Sequence, residues 1–174
     1  MRALRPILVV LALLAPAAAS AELEHEVKAA FLFQFLSYVE WPDASFKDGG
    51  SPFVIGVLGA EDVFADLTSI VSGRSAQGRT VEVRRVKQGD ALAGVHLVFV
   101  GRDESFVLPD LADRKGLLVV SEADGALDHG AMVNLLRVGE HVRFQVAPVA
   151  AERNGLRISS RMLAVAQFVK PGRP

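Results

Sequence analysis

Apolar and polar positions fall into blocks along this chain, and the period within each block changes from element to element. The first block stands apart. Residues 7–14 are apolar without interruption, preceded by Arg2 and Arg5 and followed by Pro16 and the small-residue stretch Ala19-Ser20-Ala21. A positive start, a short apolar run and an A-x-A site form the pattern of an export signal. A membrane-spanning helix needs roughly 20 apolar residues, and this run breaks at Pro16. We therefore expect residues 1–21 to be a cleaved signal peptide, with cleavage after Ala21, and residues 22–174 to form a single α/β domain working outside the cytoplasm.

The next block, residues 22–41, reads as a helix that opens on Glu22, Glu24 and Glu26, where negative charge complements the helix dipole, and closes before Pro42. Within it, residues 29–36 are apolar on all sides except at Gln34. Such a helix lies between layers or beneath a partner, and a plain core helix is the first reading. Residues 53–59 are continuously apolar, as in a strand buried on both faces. Asp62 is placed to cap a helix ending before Gly73, and the β-branched alternation of residues 80–86 predicts a second strand. Residues 95–100 and 117–120 read as further strands, separated by a short helix within residues 103–115 whose length Pro109 leaves open. Residues 132–138 and 141–146 form a hairpin across Gly139-Glu140. One or two helical turns over residues 148–154 follow, and Ser159 or Ser160 caps a last helix reaching Val169. Strands alternating with helices, then a hairpin, predict a three-layer α/β sandwich, Rossmann-like in outline, with a mostly parallel sheet and a C-terminal antiparallel hairpin at one edge.

Composition removes several classes of function. No cysteine is present, so thiol catalysis, thiol redox sensing and cysteine-ligated metals are excluded. The 19 basic and 20 acidic side chains nearly balance, and loss of Arg2 and Arg5 with the leader leaves a mild negative charge. That balance argues against nucleic-acid binding. After the leader, no apolar run is long enough to span a bilayer.

Catalytic constellations are weak throughout. The four histidines, His25, His96, His129 and His141, fall on different elements without paired-ligand spacing, so no metal or other cofactor is expected. No G-x-S-x-G or S-x-x-K nucleophile pattern occurs, and no catalytic residue is assigned. The basic cluster Arg74, Arg79, Arg84, Arg85 and Lys87 reads first as the solvated side of a strand and second as an anion or acidic-partner site. Ligands in open α/β sheets bind beyond the carboxyl ends of the strands. There, Arg102 opposite Glu122 or Asp124 makes a candidate ligand loop, with a surface ion pair as the plainer reading. Phe35, Tyr38 and Trp41 are aromatic types enriched at binding hot spots. They are candidate partner or homodimer contacts, or alternatively packing between helix and sheet.

Five stretches resemble the YfiR/HmsC-like family of periplasmic regulatory proteins. They are residues 28–35 leading to Glu40-Trp41-Pro42; Gly56-Val57-Leu58-Gly59; Gly73-Arg74 with Gly78-Arg79 and Val81-Glu82-Val83-Arg84; residues 119–125; and Gly155-Leu156-Arg157-Ile158-Ser159-Ser160. The resemblance implies a non-catalytic periplasmic protein whose relatives restrain an inner-membrane diguanylate cyclase through its periplasmic part, lowering cyclic di-GMP output and biofilm formation. Two departures stand out. Val95 precedes His96 where relatives carry a cysteine, which removes a redox-controlled version of the mechanism, and Gly130-Ala131-Met132 replaces a Gly-Gly-Met pattern. Two rivals remain: a periplasmic small-ligand-binding module of an envelope sensor or transport system, and an enzyme assembled from scattered residues such as His129, Asp124 and Arg102.

Overall fold

The computed structural model describes residues 16–172, and only the backbone is described for residues 16–22. The charged start and apolar run of the leader lie outside the described residues. Chain order is α1 (Pro16–Tyr38), β1 (Val39–Glu40), β2 (Phe53–Leu58), α2 (Glu61–Val71), β3 (Ser75–Ala76), β4 (Arg79–Arg85), β5 (Leu97–Val100), α3 (Leu108–Leu111), β6 (Leu118–Ser121), β7 (Val133–Val138), β8 (His141–Val146), α4 (Pro148–Arg153), β9 (Arg157–Ile158), α5 (Ser160–Val165) and β10 (Phe168–Val169). An eight-stranded sheet runs in the order β10-β8-β7-β6-β5-β2-β4-β3. Its links are parallel except β7–β8 and β3–β4. The expected mostly parallel α/β sandwich with its hairpin is therefore present.

Register assigns the two faces of the sheet. Ile55, Leu97 and Leu118 are neighbours in one row, and Val57, Phe99, Val120 and Val133 continue the same face. That face lies beneath α1, whose Phe31 and Phe35 pack edge-on against Phe144 of β8 at 5.5 and 5.3 Å. Leu58, Val98 and Val100 point to the opposite face, where they meet Val107 and Leu111 around a small cavity. The core is built almost entirely of aliphatic and phenyl groups, as a chain without disulfides requires.

Several element boundaries differ from the sequence expectation, each for a tertiary reason. The helix α1 begins upstream of Glu22 and ends at Tyr38 rather than Trp41, because Val39 and Glu40 leave it to pair antiparallel with Ile158 and Arg157. Asp62 does not cap α2. The cap position is Ala60, without a side-chain bond, and Asp62 sits in the first turn beside the helix dipole. The helix expected in residues 103–115 divides into a 3-10 segment, Arg102–Val107, and the short α3, with Pro109 in the first turn where its missing N–H costs nothing. Ser159 does cap α5, its hydroxyl accepting from the Met162 N–H at 3.3 Å. The helix then stops at Val165, and β10 pairs with β8 in place of the expected helical turn.

A tight turn the sequence pattern did not announce joins β3 to β4. Gln77 and Gly78 both have positive φ, 50° and 76°, the pairing found in type I′ hairpins. Gln77 meets the steric cost of that conformation by donating its amide to the carbonyls of Leu36 at 2.5 Å and Val39 at 2.9 Å. It thereby satisfies carbonyls at the C-terminal end of α1 that the helix itself leaves open.

Candidate functional site

The parallel strands give the molecule two chemically distinct ends. At their amino ends, α1 runs into an aromatic cluster. The Trp41 indole donates to the His96 carbonyl at 3.2 Å and its ring meets Phe53 edge-on at 5.1 Å. The His96 ring accepts from the Val54 N–H at 3.1 Å through Nδ1, stacks on Phe46 at 4.5 Å, and reaches the Ser45 carbonyl at 3.0 Å through Nε2, which must therefore carry the proton. Burial lowers the His96 pKa, so this imidazole is a neutral pin rather than an acid or base.

The three aromatic candidates divide at this end. Phe35 is 1% exposed and belongs to the core, stacked on Phe31 and edge-on to Phe144, because the inward face of α1 must cover the sheet. Trp41 is half-buried and fills the space between helix and sheet. Tyr38 alone is exposed, at 37%.

At the carboxyl ends, Arg102 and Asp124 do come together, 3.3 Å apart, as an exposed ion pair. Glu122 does not join them. It binds Lys28, whose side chain is 7% exposed and whose ammonium also contacts Glu24 at 2.5 Å. Arg137 reaches Glu24 at 3.4 Å and Glu140 at 3.4 Å, closing a network that ties the first described turns of α1 to the ends of β6 and β7. Bonding to the Lys28 ammonium holds the Glu24 carboxyl below the usual carboxylate range. Glu24 thus anchors α1 through Lys28 and Arg137. The spacing of Glu24 and Lys28, one helical turn apart, was legible in the sequence; the arrival of Glu122 and Arg137 was not.

His129 lies elsewhere, in a groove with Pro109, Leu127, Arg153 and Lys170. The trio of His129, Asp124 and Arg102 is therefore not brought together as a single site. The basic cluster is also dispersed. Arg79 stacks over Phe46 and donates to loop carbonyls, Arg84 donates to the Ala91 carbonyl, and Arg85 pairs with Glu61 while covering Phe64. Among the described residues, no group of three or more histidines and carboxylates is placed to hold a metal ion, and no helix is long and apolar enough to cross a membrane.

The geometry thus offers anchored surfaces and a packed core. Comparison with known proteins decides the kinship: the YfiR/HmsC-like family profile matches residues 25–167. The chain belongs to the YfiR/HmsC-like family. YfiR/HmsC-like proteins are periplasmic regulators of cyclic di-GMP signalling that act on a membrane signalling protein and form a regulatory, non-catalytic family. No curated protein matches the chain. The match spans every strand from β1 to β9, so Lys28, Glu122 and Arg137 of the network and the His96 pin lie within the YfiR/HmsC-like region, with Glu24 one residue before it.

Proposed function

We propose that this protein is exported to the periplasm and represses a membrane-bound diguanylate cyclase by protein contact, without chemistry of its own. The observation that carries this reading is the family match over nearly all of the described chain. Two features support it: the titratable side chains in contact serve as structural anchors, and Tyr38 is an exposed aromatic at the end of α1, a residue type enriched at binding hot spots.

The test is deletion of the gene in its own host, with intracellular cyclic di-GMP measured and the tagged protein recovered from solubilised inner membranes. Raised cyclic di-GMP and co-purification of a diguanylate cyclase are expected. Unchanged cyclic di-GMP together with recovery of no cyclase refutes the proposal. N-terminal sequencing of the exported protein is expected to begin at Glu22.

One observation favours a second reading, a periplasmic small-ligand-binding module. The groove holding His129 and Arg153 has a volume of about 670 Å³, within the range of roughly 300–1,000 Å³ typical of ligand sites. Retention of a small molecule by protein purified from its native periplasm, detected by mass spectrometry of the denatured extract, separates this reading from the first.

A further inference from the structure

The hairpin β7–β8 is longer than the sheet that holds it. β6 pairs only with Val133 and Asn134 of β7, and β10 pairs only with Gln145 and Val146 of β8. The pairs Leu136–Arg143, Arg137–Val142 and Val138–His141 therefore project as a two-stranded arm with no further strand on either side among the described residues.

The outer edge of β8 is already shown to accept a strand. The carbonyls of Phe144 and Val146 take hydrogen bonds from the N–H groups of Gln167 and Lys170, so these residues turn their backbone groups toward β10. Backbone direction repeats every second residue in a strand. Val142 consequently turns its N–H and carbonyl out of the same edge, in line with β10, where no described strand meets them. An exposed edge of this kind is a template for another strand.

Side chains around that edge are arranged to select what pairs there. On one side lies a groove of about 250 Å³ bordered by Leu23, Val27, Phe31, Val142 and Arg143. Leu23 is 60% exposed, and Phe31 is only partly covered. On the other side, Leu136 and Val138 stand outside the hydrophobic core. Charge is equally uneven. Arg137 is committed to Glu24 and Glu140, whereas the exposed Arg143 guanidinium has no acidic partner among the described residues.

We propose that the free edge of β8 at residues 141–143 is a docking site for an extended segment of the partner's periplasmic part, one carrying an apolar side chain beside a carboxylate. The segment continues the line of β10. Its backbone bonds the N–H and carbonyl of Val142, its apolar side chain enters the groove against Leu23 and Phe31, and its carboxylate meets Arg143. Main-chain bonds supply affinity and alternate side chains supply specificity in this mode of recognition. This inference rests on the proposed contact with a membrane diguanylate cyclase and names the surface that makes it.

The experiment titrates the mature protein with the purified periplasmic domain of the cyclase recovered from its own host. The wild type is compared with Arg143→Glu, Leu23→Asp and a control, Arg161→Glu, an exposed arginine on α5. Thermal melts confirm folding of each variant. Arg143→Glu and Leu23→Asp are expected to weaken Kd by about tenfold or more, with the control within about twofold. Hydrogen exchange at the Val142 amide is expected to slow in the wild-type complex. Wild-type binding with unaltered Kd in both variants and unchanged exchange at Val142 overturns this surface and leaves the proposed function standing. A wild type that binds no cyclase removes the proposed function and this inference together. Self-association in sedimentation that Arg143→Glu abolishes assigns the edge to a second copy and also overturns it.

Discussion

Lys28 offers the sharpest test of how α1 is held, because its ammonium is buried between two carboxylates. Replacing it with Met keeps most of the stem's packing but removes the charge that both acids face. Glu24 retains Arg137 at 3.4 Å, whereas Glu122, 16% exposed, has no other cation in contact among the described residues. Removing one partner of a fully buried ion pair costs about 3–5 kcal/mol. With the acids partly reached by solvent and Arg137 still in place, we expect about 2–4 kcal/mol. For a domain of this size that corresponds to a fall in Tm of roughly 5–15 °C. The pH dependence follows from the depressed Glu24 pKa. A carboxyl lowered in the folded state adds stability above its unfolded pKa and loses it as pH falls through the folded value. The wild type therefore loses this contribution in acid, and the gap between wild type and Lys28→Met should narrow below about pH 4.5. Urea melts at pH 7, 5 and 4 read this directly. The triple variant Glu24→Gln, Lys28→Met, Glu122→Gln should recover a large part of the loss at pH 7, because it leaves no charge unpaired. A Lys28→Met defect of equal size at every pH, with no recovery in the triple variant, would show that Lys28 acts through packing alone and refute the electrostatic argument.

Further outcomes follow from the same structure. Phe35→Ala removes a ring that is 1% exposed and touches both Phe31 and Phe144, and should cost about 3–5 kcal/mol in chemical denaturation. Gln77→Ala keeps a positive φ while losing both bonds to the end of α1. It should cost roughly 2–3 kcal/mol, and Gln77→Gly about 1 kcal/mol less because glycine adopts that conformation freely. His96→Phe loses the bonds to Val54 and Ser45 and should destabilise by about 2–3 kcal/mol. The lowered His96 pKa means that its neutral form adds stability above the ordinary imidazole range, and that this is lost as pH falls through the depressed folded value. The fall in stability between pH 7 and 5 should therefore be shallower in His96→Phe than in the wild type, as pH-resolved melts would show.

What the sequence determined alone was local in origin. The continuous apolar runs at Phe53 and Leu97 specified buried strands, Gly139 the hairpin turn, and the pair Ser159-Ser160 the start of α5, because each depends on period, backbone freedom or a neighbour within one turn. The family was legible for the same reason: its wording is carried by these local segments. Other features were decided only when distant segments met. Tyr38 ends α1 because β9 and Gln77 claim the chain beyond it, and Phe168 leaves α5 because the edge of β8 is open. Glu122 seemed a partner for Arg102 when only strand ends were considered. The fold sends it to Lys28, since a buried ammonium demands carboxylates more strongly than an exposed guanidinium does. Phe35 carried the composition of a contact residue, yet its burial depended on which side of α1 faced Phe144. A helix that is apolar all round does not encode that choice in its own period; the sheet beneath it does.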